Sequence, residues 1–231
     1  MVGIIGGSSL FNSIVFEQWM KEIVETPYGE VVIKKSGNVV FLQRHGPRFL
    51  PPHKINHKAN IWALKEKGIK KVIAINSTGS LKRTIKPGTF VIPNDFFCPW
   101  VIPTFFENEC KFSIPVLDKS IIELLYELTK ELNIAVKKGG IYVQTVGPRF
   151  ETVAEINFLK KIGDIVGMTL ASEATLCIEL GIPYASLCSV DNYCHGISDK
   201  PLTVNDVEYF QKTNLSKIER FIEILIKRVE A

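Results

Sequence analysis

The fold is decided by the stretch Val2-Gly3-Ile4-Ile5-Gly6-Gly7-Ser8-Ser9, in which a short apolar run ends in glycine and serine. It predicts a buried strand followed by a loop. Glycine lets backbone N–H groups turn toward a ligand and serine adds a hydroxyl, so the loop fits an anion site as well as a plain tight turn. It matches neither GxGxxG nor GxxxxGK[ST], which disfavours dinucleotide and Walker-type sites.

Further along the chain, short β-branched runs alternate with segments of helical periodicity. This alternation predicts an α/β fold on a mostly parallel sheet. The expected strands are 2–6, 31–35, 39–43, 71–76, 89–92, 140–145, 164–168 and 184–190, and the expected helices are 120–132, 171–180 and 204–229. No repeat or Pro/Ser-rich linker interrupts the pattern, so we expect one domain, 1–231. The irregular segment 93–115, rich in proline and phenylalanine, is expected to be a long surface excursion.

The composition narrows the class of protein. The chain has 231 residues, of which 46% are hydrophobic and 23% charged, as is usual for a soluble globular protein. Its net charge of +4 comes from scattered Lys and Arg residues, which disfavours nucleic-acid binding. The start lacks the features of a secretory signal and no apolar run approaches a membrane span, so we expect a cytoplasmic protein. Five cysteines without a CxxC pair are expected to be reduced thiols.

Two further strand-end loops carry polar residues suited to an anion. Arg44-His45-Gly46-Pro47-Arg48 offers a guanidinium fork matched to phosphate and a histidine that can donate a further hydrogen bond, although a solvated basic loop has the same composition. Asn76-Ser77-Thr78-Gly79-Ser80 also closes a predicted strand. Open α/β sheets bind ligands beyond the carboxyl ends of their strands, so three such loops together indicate a binding site.

Three later segments complete the set of candidates. In Val146-Gly147-Pro148-Arg149-Phe150-Glu151-Thr152, Phe150 can stack on a ring and Glu151 can accept its N–H groups; alternatively Phe150 is core and Glu151 caps a helix. Gly167-Met168-Thr169 closes another strand. In the stretch 189–195, Asp191 and Asn192 are polar residues at a strand end, where Asp191 can also simply cap a turn. No spacing of metal ligands is present, so we expect no bound metal.

These motifs occur in an order that resembles one known family. GGS at residues 6–8, RHG at 44–46, PHKIN at 52–56 with ANIWAL at 59–64, GSL at 79–81, GPRFET at 147–152 and Met168-Thr169 are similar to the trimeric purine nucleoside phosphorylase and methylthioadenosine phosphorylase family. The resemblance covers nearly the whole chain. It implies a three-layer α/β/α fold with a mixed, mostly parallel sheet, and reversible phosphorolysis of a purine nucleoside.

The resemblance also implies roles for individual residues. Inorganic phosphate is the co-substrate and nucleophile, so no cofactor is expected. The phosphate site would consist of Ser8, Arg44, His45, Ser77 and Thr169. Met168 would lie under the ribose and Phe150 against the purine, with Asn192 and His45 as the catalytic residues. The protein would act by positioning the reactants and stabilising charge.

Base preference follows from two of these positions. In the family, Glu and Asn at the positions of Glu151 and Asn192 accompany 6-oxopurines, whereas Ser and Asp accompany adenine. A 6-oxopurine donates its N1–H to the Glu151 carboxylate, and the Asn192 amide donates to O6 and accepts from a protonated N7. A one-residue shift would instead put Asp191 at the base, which leaves an adenine-releasing methylthioadenosine phosphorylase as the alternative.

The sugar end is predicted from Val204, at the start of the last helix. An apolar residue there favours a 5′-methylthio group over a hydroxyl, although plain helix packing explains it nearly as well. The expected substrates are 5′-methylthioinosine, then inosine and guanosine. A non-catalytic nucleoside-binding protein is the rival from another class. The resemblance also implies a homotrimer or a dimer of trimers, with Phe105 and Phe106 as the side chains that would close a neighbour's pocket.

Overall fold

The computed structural model describes residues 1–11 and 13–230. Within these residues eleven strands form one sheet and five α-helices pack around it. The strands are β1 Val2–Gly6, β2 Met20–Val24, β3 Val31–Ser36, β4 Val39–Gln43, β5 Lys71–Ser80, β6 Phe90–Ile92, β7 Asp95–Phe97, β8 Val136–Lys138, β9 Ile141–Gln144, β10 Ile165–Gly167 and β11 Tyr184–Tyr193. The helices are α1 His57–Glu66, α2 Lys119–Glu131, α3 Val153–Leu159, α4 Leu170–Glu179 and α5 Val204–Glu230.

The centre of the sheet is parallel. Strand β1 pairs in parallel with β4 and with β5, and β5 pairs in parallel with β11 along nearly its whole length. The carboxyl ends of these four strands therefore meet at one edge. Strand β10 is antiparallel to β5, with Val166 opposite Gly79, so it reaches the same region from the opposite direction.

The core lies on both faces of this central sheet. Strands β1 and β11 are buried on both sides, and β5 nearly so, which requires helices above and below them. Helix α1 packs against α4, and α2 packs against α5. The predicted α/β fold with a mixed, mostly parallel sheet is therefore confirmed. No helix in the described ranges combines the length and the hydropathy that crossing a bilayer requires.

Hydrogen-bonded caps and a residue with positive φ mark the ends of α2 and α5. The Asp118 carboxylate accepts the Ile121 N–H at 2.9 Å at the start of α2, and Asn133, with a φ of 54°, follows its end. At α5 the Thr203 hydroxyl oxygen accepts the Asp206 N–H at 3.2 Å. The predicted helices 120–132 and 204–229 agree with α2 and α5 to within about one residue at each end.

The sequence analysis missed three strands, β2, β7 and β8. Strand β2 exposes Met20 and Ile23, so its burial lacks the alternation of a half-buried strand. Strand β7 lies inside the segment 93–115, and β8 has only three residues.

The segment 93–115 contains the two side chains expected to close a neighbour's pocket. Phe105 packs within its own chain, with its ring centroid 5.4 Å from that of Tyr28 and 5.5 Å from that of Trp62. Its backbone N–H donates to Glu179 Oε2 at 2.6 Å, and the residue is only partly buried, so the role of Phe105 and Phe106 at a neighbour's pocket stays a prediction. The most exposed apolar side chains of the segment are instead Val101, Phe112 and Ile114.

Candidate functional site

A cavity of about 240 Å³ lies at the edge where the carboxyl ends of β1, β4, β5, β10 and β11 meet. It collects side chains from distant parts of the chain, as the strand-end argument predicted. The predicted site residues that line it are Ser8, Arg44, His45, Ser77, Phe150, Glu151, Met168, Thr169 and Asn192. Among the predicted site residues, only Val204 is missing from its lining.

Arg44 is the buried cation of the cavity. Its Nε donates to Glu173 Oε1 at 2.6 Å, its Nη2 to Oε2 at 3.3 Å, and its Nη1 to the Ile75 carbonyl at 2.9 Å. Because a guanidinium has five N–H groups, two remain for a ligand. Burial by itself lowers the pKa of Arg44, but its attraction to Glu173 outweighs burial and the net pKa is raised. Arg44 therefore stays charged.

A helix terminus adds further positive potential. Helix α4 begins directly after Thr169, which also lines the cavity. The N-terminus of a helix carries partial positive charge and favours anions. Glu173 offsets the charge of Arg44, so the net charge of this pair does not by itself attract an anion. The helix dipole and the free N–H groups of Arg44 together account for an anion site.

His45 offers an acceptor to this site. Its Nδ1 lies 2.7 Å from the Leu50 carbonyl oxygen, which can only accept, so Nδ1 carries the proton of the neutral ring. Burial and the neighbouring Arg44 lower the pKa of His45 and keep the ring neutral at pH 7. The remaining nitrogen, Nε2, is then an acceptor for a ligand hydroxyl. This differs from the donor role predicted from the sequence.

Two cavity hydroxyls have their protons available for a ligand. Asn76 Nδ2 donates to Thr169 Oγ1 at 2.8 Å, and Gln211 Nε2 donates to Ser8 Oγ at 3.3 Å. Each hydroxyl oxygen therefore accepts from the protein, and among residues 1–11 and 13–230 neither hydroxyl has an acceptor for its own proton. Both can donate to an anion. Gln211 was missed by the sequence analysis because it lies in the middle of a long helix, outside any strand-end motif.

Ser77 is arranged differently. Gln211 Nε2 donates to its Oγ at 3.1 Å, but its own hydroxyl donates to Asp191 Oδ2. Asp191 is fully buried and does not line the cavity, whereas Asn192 does. In this structure Asp191 therefore lies behind Ser77, outside the cavity lining, and Asn192 faces the cavity.

A second group of lining residues has the properties of a ring-binding site. Phe150 is 41% exposed and lines the cavity, so it is not a core residue. Glu151 is buried, and its Oε1 accepts a hydrogen bond from Thr145 Oγ1 at 2.6 Å. Thr152 and Glu155, not Glu151, form the capping box of α3. The Glu151 carboxylate is thus left to accept from a ligand.

Asn192 lines the same cavity as Glu151, together with half-buried Met168. Its Nδ2 donates to the Tyr193 carbonyl at 3.0 Å, which leaves one N–H and Oδ1 for a ligand. One donor and one acceptor on the same side chain can pair with two neighbouring polar atoms of a planar base.

Two glycines permit the close packing behind the site. A Cβ at Gly7 would overlap Nη1 of Arg44. A Cβ at Gly79 would lie 2.7 Å from Cys194 Sγ and 3.0 Å from Asn192 Nδ2, closer than packed atoms normally approach. Both positions therefore require glycine for a steric reason.

The structure places the residue predicted for the sugar end outside the cavity lining, and its role stays a prediction. Val204 is 61% exposed and lies outside the cavity lining, whereas Leu202 and Val207 line it. Val204 is the first residue of α5 and Val207 lies one turn later. Side chains of a helix lean toward its N-terminus, so a residue one turn into α5 covers the space near its start. Leu202 and Val207 make this part of the lining apolar.

Within residues 1–11 and 13–230, no group of three or more His, Cys, Asp or Glu side chains is placed to hold a metal ion. The expectation that no metal or cofactor takes part stays a prediction.

Comparisons with known proteins agree on one family. Residues 2–227 match the family described as the phosphorylase superfamily. The chain is 42% identical to a probable S-methyl-5′-thioinosine phosphorylase of Methanocaldococcus jannaschii, over 100% of this chain and 90% of that protein. It is 37% identical to a probable 6-oxopurine nucleoside phosphorylase of Archaeoglobus fulgidus, over 99% and 97%. Methylthioadenosine phosphorylase from Schistosoma mansoni in complex with adenine has a similar structure, with a TM-score of 0.83 and 25% identity, over 96% of this chain and 89% of that one.

Proposed function

The chain belongs to the phosphorylase superfamily, and on that basis we propose that its cavity catalyses the reversible, phosphate-dependent cleavage of purine nucleosides. The products are a free purine base and a ribose 1-phosphate. The observation that carries the proposal is the juxtaposition, in one cavity, of an anion site around Arg44 and Thr169 with a ring site around Phe150, Glu151 and Asn192.

The residues suit this chemistry because phosphate is itself the nucleophile. Arg44, Ser8 and Thr169 hold the phosphate against the sugar, and neutral His45 accepts from a phosphate or sugar hydroxyl. Confining both reactants in one cavity lowers the entropic cost of their encounter. The work of the protein is then to stabilise the purine as it leaves with the bonding electrons.

The base site favours 6-oxopurines. The Glu151 carboxylate accepts N1–H, and Asn192 donates to O6 and accepts from protonated N7. Adenine presents a lone pair at N1, which would face the carboxylate and leave a buried acceptor unpaired. The relatives of M. jannaschii and A. fulgidus, named for methylthioinosine and 6-oxopurine nucleosides, support the same preference. We propose 5′-methylthioinosine as the preferred substrate, because Leu202 and Val207 make the sugar end apolar.

The test is a panel of four nucleosides: methylthioinosine, methylthioadenosine, inosine and adenosine, each with and without phosphate. Released base is quantified by chromatography. We expect phosphate-dependent release of hypoxanthine, fastest from methylthioinosine. Faster release of adenine would favour the methylthioadenosine phosphorylase alternative, and no release from any substrate would favour the binding protein.

Exchanging Val207 for Thr should reduce the preference for methylthioinosine over inosine, measured as the ratio of their kcat/KM values. The hydroxyl of Thr is nearly isosteric with the lost methyl group but is poorly placed against a methylthio group, so we expect a reduction of about 10-fold. Val204→Thr is the matched control and should leave the ratio unchanged, because Val204 lies outside the cavity. If only Val204→Thr changes the ratio, the original prediction for Val204 was right and the assignment to Val207 is wrong.

The homotrimer or dimer of trimers and the cytoplasmic location stay predictions from the sequence. The single domain 1–231 is likewise proposed.

A further inference from the structure

The buried carboxylate of Asp191 is not explained by the reaction just described. It is fully buried and lies directly behind the phosphate side of the cavity. Its Oδ2 accepts the hydroxyl of Ser77, and its Oδ1 accepts Nδ2 of Asn214 at 3.0 Å. In the described part of the chain Asp191 forms no ion pair with Lys, Arg or His. A buried carboxylate without a cation is costly, and here it stands beside a site that must bind an anion.

The three hydroxyl residues predicted to bind phosphate, Ser8, Ser77 and Thr169, differ in where they donate, and this difference indicates what Asp191 does. Ser8 and Thr169 accept from amide groups and keep their protons for a ligand. Ser77 has a single proton too, and it donates that proton to Asp191. While Asp191 is ionised, Ser77 presents only lone pairs to a phosphate oxygen, which is an unfavourable contact. A protonated Asp191 can donate to Ser77 instead, and the Ser77 proton then becomes free for phosphate.

We propose that Asp191 is a positioning residue that sets the direction in which the Ser77 hydroxyl donates, so that phosphate binding is coupled to uptake of a proton by Asp191. The inference rests on the proposed function, because it assumes that phosphate occupies the anion site. It assigns a role to a residue that does not touch substrate.

The groups around Asp191 leave it free to titrate. Helix α5 presents the neutral amides of Asn214 and Gln211, and β5 presents Ser77. On β11 itself Cys188 interacts electrostatically with Asp191, and burial raises the pKa of its thiol to about 12, so the thiol is neutral. Tyr193, on the same strand, donates its hydroxyl to the Arg83 carbonyl at 3.2 Å. Strand β6, on the other side of β11, contributes apolar residues only.

Burial raises the pKa of Asp191 to about 6, and the hydrogen bonds from Ser77 and Asn214 partly offset this effect. Binding of phosphate to the protonated form raises that pKa further. Above about pH 6 the free protein has lost the proton and must regain it on binding, so phosphate affinity falls as the pH rises toward the pKa of the complex. Below the pKa of Asp191 in the free protein, the contribution of this proton to phosphate affinity no longer varies with pH.

The experiment is calorimetric titration of the full chain with inorganic phosphate between about pH 5 and pH 8, with wild type, Asp191→Asn, Ser77→Ala and the double variant. An Asn side chain at this position can donate to Ser77 and still accept from Asn214, so it mimics the protonated carboxyl. The second ionisation of phosphate and the titration of His45 are common to wild type and Asp191→Asn, so they cancel in the ratio of the two Kd values.

We expect Asp191→Asn to bind phosphate about 10-fold more tightly than wild type near pH 7, and to within about twofold of wild type near pH 5. In the Ser77→Ala background the same exchange should change Kd by less than about twofold. A ratio that does not vary with pH overturns the proposal. So does equal tightening in both backgrounds, because the charge alone would then be responsible.

Two further readouts keep the test decisive. If Asp191→Asn does not fold, wild type and Ser77→Ala are titrated with phosphate in two buffers of different ionisation enthalpy. Wild type should take up more protons per bound phosphate than Ser77→Ala, and equal uptake overturns the proposal.

Base release separates this inference from the proposed function. If wild type releases base in the presence of phosphate and Asp191→Asn has the same phosphate Kd as wild type, only the role of Asp191 is refuted. If wild type binds phosphate but releases no base, only the proposed nucleoside substrate is refuted.

Discussion

Exchanging Arg44 for Met is expected to lower the free energy of unfolding by about 3–5 kcal/mol and phosphate-dependent base release by at least about 100-fold. The loss of stability follows because Glu173 would remain buried without its cation. Its other hydrogen bond, from the Tyr184 hydroxyl at 2.9 Å, does not compensate for a charge. The loss of activity follows because the two free N–H groups of Arg44 are donors for phosphate.

The control for this prediction is the double variant Arg44→Met/Glu173→Gln. It removes both charges and keeps an oxygen that accepts from Tyr184, so stability should return to within about 1–2 kcal/mol of wild type. Urea unfolding measures stability and initial rates measure base release. We expect the double variant to fold and remain inactive. Recovery of activity along with stability would mean that Arg44 serves only the fold.

Exchanging Asn192 for Asp should move base preference toward 6-aminopurines, lowering the ratio of hypoxanthine to adenine release by about 100-fold. A carboxylate cannot donate to O6, but it can accept from the 6-amino group of adenine and from protonated N7. Because the effect acts on the leaving base, it is measured as the ratio of kcat/KM values for inosine and adenosine. Glu151 is unchanged in this variant, which keeps part of the oxopurine site.

The neighbouring residue provides the matched control. Asp191→Asn has the opposite change of charge one residue earlier, and Asp191 lies outside the cavity lining. Its effect is expected on phosphate and not on the base ratio. If Asp191→Asn alters the ratio and Asn192→Asp does not, Asp191 is the residue that contacts the base. The register of β11 at the ligand is then shifted by one residue from the one described above.

Much of the fold could be predicted from local patterns. Strands β1 and β4 agree with their predicted limits because a continuous apolar run between turn residues is unambiguous. Strands β5 and β11 are longer than predicted. Their carboxyl-terminal halves contain polar residues, from Ser77 onward in β5 and from Asp191 onward in β11, and in sequence these residues resemble loops. Those halves are held in the sheet by pairing with each other, a long-range contact that no local pattern contains.

The sequence alone determined the fold class and nine residues of the cavity lining, because polar motifs at the ends of predicted strands can be recognised locally. Tertiary structure decided the rest. Glu173 as the partner of Arg44, Gln211 between Ser8 and Ser77, and Val207 in place of Val204 all depend on how α4 and α5 pack on the sheet. The hydrogen bond from Ser77 to Asp191 likewise joins residues far apart in the chain. Such partners are set by packing, which depends on three-dimensional proximity and leaves no periodic signal in the sequence.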